Sequence, residues 1–246
     1  MIDRYMRFSL GSAVCSVPYF NNKTMRSRVA LNALVGKGDP QELLDETETI
    51  IFKNHIDPDT LEGETLKRIM ADENLGVDCS ALAYHVLDAE SQARGKGQIK
   101  RSLKFIQAHG LKGFIASRTR PARLADVATF ADDANSRHIE LSGIRPGDMI
   151  TMMDGSDDGE RNHILVVHQI DRNDPSRPKI HYTHAVAYPE DGLYGSGVKQ
   201  GTIEIVDPSG NILEQAWQEN GSAEGAARIL SRARHSKTDV RRLKWL

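Results

Sequence analysis

The first clear period along the chain is helical. In GDPQELLDETETIIFKN, Leu43, Leu44, Thr47, Ile50 and Ile51 recur at the three- and four-residue spacing that gathers side chains on one face. Asp39 can cap that helix, Pro40 suits its first position, and Glu42 stands three residues after Asp39, as a capping box requires. A second helix is predicted from about Asp59 to Met70, with Leu61, Leu66, Ile69 and Met70 on its apolar face. The stretch GVDCSALAYHVLDAE predicts a third, beginning near Asp78 and carrying Cys79, Leu82, Ala83, Val86 and Leu87 in one stripe. After Glu90, basic loop-like pieces alternate with short helical ones as far as Ser142.

From Ile144 onward the period becomes that of strands. Five candidates are separated by turn residues: GDMITMM, HILVVHQID, KIHYTHAVA, TIEIVD and ILEQAWQ. The last two flank DPSGN and are expected to form a hairpin. The closing SAEGAARILSRARHSKTDVRRLKWL predicts a helix followed by a basic tail, from about residue 221 to 246. A helical half followed by antiparallel strands defines an α+β fold, and 246 residues suit one large domain.

Composition narrows the function classes. Hydrophobic residues make up 39% and charged residues 27% of a chain without repeats, which fits a globular protein with a core. A formal charge of -2 creates no global field that demands nucleic acid or an anionic membrane as partner, and nucleic-acid binding is not expected. No window of 18 apolar residues exists, so no membrane span is expected. Asp3, Arg4 and Arg7 interrupt the first apolar run, so a secretory signal is not expected either. The cytoplasm is then the default expectation, unless the chain is a piece of a longer exported protein. Two cysteines cannot build a disulfide framework, and no CxxC pair is present. Cys15 is expected to be a small buried residue, with a Cys15 to Cys79 bridge as the minor alternative.

Cys79 admits two readings. On an apolar face it is a small core hydrophobe with an inert, protonated thiol. At a helix N-terminus it sees unsatisfied backbone N–H groups and the positive end of the macrodipole, both of which favour a thiolate. The same N–H groups can receive an oxyanion. A base is available in His163, which opens a strand apolar on both faces, Ile164 to Val167. His184, on the following strand, can orient it as the third member of a triad does. His181 is the next choice, because a one-residue error of strand phase exchanges the faces.

Other residues carry weaker signals. His163, His168, His181 and His184 raise the question of zinc, but His163 and His168 stand five apart on one strand and point to opposite faces. No HExxH is present, and neither a metal site nor a cofactor is expected. Asp148 is read as an anchor for the loop before its strand, and MDGSDDGE as a hairpin tip near His163. The basic run through Arg232, Arg234, Lys237, Arg241, Arg242 and Lys244 is read as a solvated helix face.

VDCSALAYHV resembles the Asp-Cys-Ser-Gly helix of the NlpC-type cell-wall cysteine peptidases, whose fold is papain-like. IRPGDMITM resembles that family's Pro-Gly-Asp strand, HILVVHQI its histidine strand, YTHA the next strand, and VPYFNN its Pro-Tyr segment, all in the family's order. The resemblance implies a papain-like fold, with the nucleophile's helix packed on a five-stranded antiparallel sheet or partly open barrel. It also implies Cys79 as nucleophile, His163 as base and then acid, His184 as the orienting residue, and Tyr19, Asp78 and Ser80 as support for the oxyanion or substrate. The substrate would be a peptide or a peptidoglycan stem peptide. The chain departs from the family at Ala81 and Leu165, where glycines are usual, and through helical insertions at about 23–75 and 91–142. Two rival readings are a binding module of the same fold without turnover, and an acyltransferase or transglutaminase-like enzyme using the same thiol.

Overall fold

A short helix α1 (Ile2–Met6) and a hairpin of β1 (Phe8–Leu10) and β2 (Ala13–Cys15) precede the first long helix, α2 (Pro40–Lys53). The structure is a computed structural model that describes residues 1–22, 31–154, 162–219 and 223–246. The acidic loop MDGSDDGE lies largely outside the described residues, as does the start of the segment from 23 to 75. The capping box expected before α2 is formed. Asp39 Oδ1 accepts the backbone N–H groups of Gln41 at 2.7 Å and Glu42 at 3.0 Å, and Glu42 Oε2 accepts that of Asp39 at 3.0 Å.

The expected helix from Asp59 to Met70 is shorter than its apolar spacing suggests. Asp57 and Pro58 start a single 3-10 turn, Leu61 and Glu62 are extended, and α3 (Gly63–Asp72) begins after them. Then come α4 (Cys79–Ala93), α5 (Gly110–Thr119), α6 (Pro121–Leu124) and α7 (Val127–Ala131). The strands β3 (Ser136–His138), β4 (Met149–Met153), β5 (His163–Asp171) and β6 (Lys179–Val186) lead to α8 (Gly192–Gly195). The chain closes with β7 (Gly197–Glu204), β8 (Ala216–Glu219), α9 (Ala223–Arg234) and β9 (Lys237–Leu243).

The chain divides into two compact units, Met1–His85 with Ala185–Lys199, and Val86–His184 with Gln200–Leu246. In the first, α3 packs against β2 and α8, and Tyr5, Leu43, Leu66 and Met70 are fully buried. Tyr5 keeps its hydroxyl satisfied there by donating to the Gly38 carbonyl at 3.1 Å.

The fold is α+β with a seven-stranded antiparallel sheet in the order β3-β9-β4-β5-β6-β7-β8. One face of the sheet carries Ile150, Leu165, Val167, Ile180, Tyr182 and Val240, which form a buried cluster with Ile229 and Ala233 of α9. The expected five strands thus become seven. The anticipated basic tail is not a tail, because β9 lies between β3 and β4 in the interior of the sheet. Of the basic run, Arg232 and Arg234 do stand in the last turn of α9, with Arg234 exposed, but Arg241 and Arg242 are on β9 and buried. Arg242 is buried and paired through Nε at 2.5 Å and Nη2 at 2.7 Å with the fully buried carboxylate of Asp148, and Arg241 is paired with Asp133 and Asp239. Asp148 also accepts the Arg145 N–H at 2.8 Å, so it anchors the loop before β4.

The expected hairpin is present, pairing Gly201 with Glu219 through Glu204 with Ala216, but its connection is longer. ILEQ is not strand. Asn211 caps a 3-10 turn over Ile212–Glu214, and the Gln215 amide bonds four backbone groups of the connection.

Candidate functional site

The segment before Cys79 is held by backbone pairing. Tyr19 forms a parallel bridge with Val77, Lys37 an antiparallel one, and the Asp78 N–H donates to the Gly36 carbonyl at 2.9 Å. Gly36 permits this at a φ of 72°, and a Cβ there would stand 2.2 Å from the Phe20 carbonyl oxygen. Asp78 caps α4, accepting the Ala81 N–H at 2.8 Å and the Ser80 hydroxyl at 2.9 Å through Oδ1. Its other oxygen, Oδ2, is 2.7 Å from Lys37 Nζ, which also donates to Ser80 Oγ at 2.7 Å. Cys79, the first residue of α4, is 8% exposed. Asn21 donates to the Tyr19 hydroxyl at 3.3 Å. Thus Tyr19, Asp78, Ser80 and Cys79 share one stretch of structure, joined by Lys37. Nothing in the sequence marked Lys37, a lysine between two glycines whose partners lie some forty residues away.

No disulfide joins Cys15 and Cys79, so the alternative of a bridge between them is not realised. Burial pushes the Cys15 thiol up to about 11, with nearby Lys67 opposing.

The two strand histidines belong to the other unit. Residues 163, 165 and 167 alternate onto the face of the buried cluster, and His184 lies on that face beside Tyr182. Nε2 of His163 and Nδ1 of His184 are hydrogen-bonded at 2.8 Å, and the rings meet edge to face at 5.1 Å. His181 is not in this pair. It faces away, with Nδ1 3.4 Å from the Thr202 hydroxyl and its ring 6.2 Å from that of His168. A bulge at His168 interrupts the pairing of β5 with β6, and His168 bonds the Thr183 hydroxyl at 2.9 Å.

Behind the pair stands a carboxylate that sequence reasoning missed. Glu219 Oε2 is 3.4 Å from His184 Nε2, at ion-pair range, and neither side chain has exposed surface. The two residues are on strands separated by β7, where Gly201 makes room. A Cβ on Gly201 would lie 2.2 Å from the Tyr182 hydroxyl. The Tyr182 ring fills the space between His184 and Trp217, at 5.5 and 5.9 Å. The signal available in the sequence was period two from Trp217 to Glu219, which sets the glutamate on the core face.

Burial, with the Arg232 and His184 charges adding to it, holds the His163 imidazolium well below the usual histidine range. The unfolded chain takes up a proton on this ring below about pH 6.5 and the folded chain does not. Stability is therefore full above that pH and declines as pH falls. Thermal melts from pH 7.5 to 5 are expected to show this decline, and His163→Gln to flatten it.

Leu165, one of the departures from the family pattern, fills the buried cluster, and Ala81 is fully buried in the first turn of α4. Among the described residues, no group of three or more histidines, cysteines or acidic side chains is arranged to hold a metal ion. No helix among them is long and apolar enough to cross a membrane. Compared with known protein families, curated proteins and solved structures, the chain finds no match.

Proposed function

We propose that the chain is a cysteine hydrolase of peptide-type amides, with peptidoglycan stem peptides as the substrate class that the resemblance favours. The observation that carries this reading is the buried hydrogen bond between His163 and His184, backed by Glu219. With Glu219 ionised, the proton of His184 belongs on Nε2, and His184 Nδ1 then accepts from His163 Nε2–H. His163 Nδ1 is left as the basic nitrogen. This is the base-and-orienter half of a triad, assembled by residues that the sequence singled out.

In the proposed reaction His163 takes the Cys79 thiol proton and the thiolate attacks the amide carbonyl. The oxyanion is received by N–H groups at the start of α4, with Tyr19 in support. His163 then gives its proton to the leaving amine, and water resolves the thioester under the same base. Asp78 and Ser80 hold the helix start through the cap and the Lys37 contact.

A second reading, a binding module without turnover, is favoured by the 8% exposure of Cys79. Incubation of the full chain with muropeptides and amide-linked peptides, followed by mass spectrometry, separates the two. Cleavage that disappears in Cys79→Ala supports the hydrolase, and intact substrates that nevertheless bind support the module.

A further inference from the structure

We propose that α5 and the basic chain around it dock on an anionic lipid surface, with the helix lying in the interface. α5 presents its residues in the reverse of the usual order for a surface helix. Its small residues face inward: Ser117 is buried, and a Cβ on Gly113 would lie 2.5 Å from the Ala108 backbone. Its large apolar residues face out, with Leu111 75%, Phe114 57% and Ile115 52% exposed. At offsets of three and four these make one continuous strip, unlike the scattered apolar side chains that any protein surface carries. Ile106, 38% exposed, lies four residues before the helix begins.

Charge identifies the occupant. From Ser91 to Ala125 the chain carries nine lysines and arginines and no acidic residue, so all 34 acidic side chains lie outside this segment. Lys104, Lys112, Arg118 and Arg120 on or beside α5 are exposed, and the Arg118 guanidinium lies 5.1 Å over the Phe114 ring. An apolar strip edged by arginine and lysine is what an interfacial helix offers a bilayer carrying negative headgroups. A second copy is a poor occupant, since two such segments would meet with like charge. Nucleic acid would engage the basic groups but leave Leu111 and Ile115 in water, because base stacking uses aromatic planes. This inference is independent of the hydrolase reading.

The test is flotation of the full chain with vesicles of phosphatidylcholine alone and with about 30% phosphatidylglycerol, where polybasic attraction should appear. Binding at least about tenfold tighter to the anionic vesicles, weakened by salt, is expected. The variant Leu111→Ser/Phe114→Ser/Ile115→Ser should lose about tenfold while keeping its circular dichroism and melting midpoint, because it alters exposed side chains. Equal or absent binding to both vesicles would overturn the proposal. So would anionic binding that the triple variant leaves unchanged, or a concentration-dependent dimer that the triple variant abolishes. Retention on a nucleic acid that survives the triple variant, without vesicle binding, would overturn it as well.

Discussion

His163→Gln is expected to lower amide cleavage by about a thousandfold while leaving substrate binding nearly intact, because it removes the base and keeps a side chain of similar size. Glutamine retains a hydrogen-bonding end for His184 but cannot carry a proton between thiol and leaving amine. Steady-state kinetics would show the loss in kcat. Glu219→Gln is expected to cost less, about tenfold, since it removes charge behind His184 without emptying the space. Glu219→Ala should cost more than Glu219→Gln, because the ring loses its support as well. Equal activity in the wild type and His163→Gln would remove the base from the account and leave the histidine pair as a structural element.

The largest effect on stability is expected at the other buried charge pair. Asp148→Ala strands the Arg242 guanidinium between β9 and β4 without its carboxylate, at a cost of about 3–5 kcal/mol. For a chain of this size that corresponds to a fall in melting midpoint of roughly 10 °C. Asp148→Asn preserves the shape and one acceptor, and should lose less. The double replacement Asp148→Leu/Arg242→Met should recover much of the loss, because a buried ion pair is costly to break but not to exchange for apolar packing. Calorimetry of the wild type, Asp148→Leu, Arg242→Met and the double variant closes this cycle. Additive losses would show that the two side chains do not stabilise each other.

These two sites also show where the sequence was readable. The helix at Asp39 and the helix at Cys79 declared themselves through local signals, a capping box in one and an apolar stripe in the other. Strands β4, β5 and β6 did so through runs of buried aliphatic residues. His163 and His184 were legible as candidates because each stands on such a strand, while the choice between His184 and His181 waited on the phase of β6. The strand β9 was hidden by its own charges, since KTDVRRL reads as solvated until Asp148 and Asp133 are seen to neutralise Arg242 and Arg241. Those partners are about a hundred residues away in the chain, and no local pattern reveals them. Glu219 was missed for a similar reason, as its approach to His184 depends on Gly201 leaving a gap in the intervening strand. Lys37 reaches Asp78 only because Gly36 turns the chain where a side chain would collide with Phe20. Local periods thus disclosed elements and single candidates, while the supporting charges had to be found in space.

The proposed reaction turns on His163, held neutral by burial, acting as the base that draws the proton from Cys79. The most direct measurement is the rate of iodoacetamide alkylation at Cys79 as a function of pH, read by peptide mass spectrometry in the wild type and in His163→Gln. Cys15, whose thiol is pushed up to about 11, serves as the unreactive reference within the same chain. Labelling of Cys79 at pH 7.5 that is much faster than that of Cys15 and collapses in His163→Gln is expected, with Cys15 unlabelled in both. Labelling of Cys79 that is as slow as that of Cys15 and indifferent to the substitution would contradict it, and would make Cys79 a core thiol.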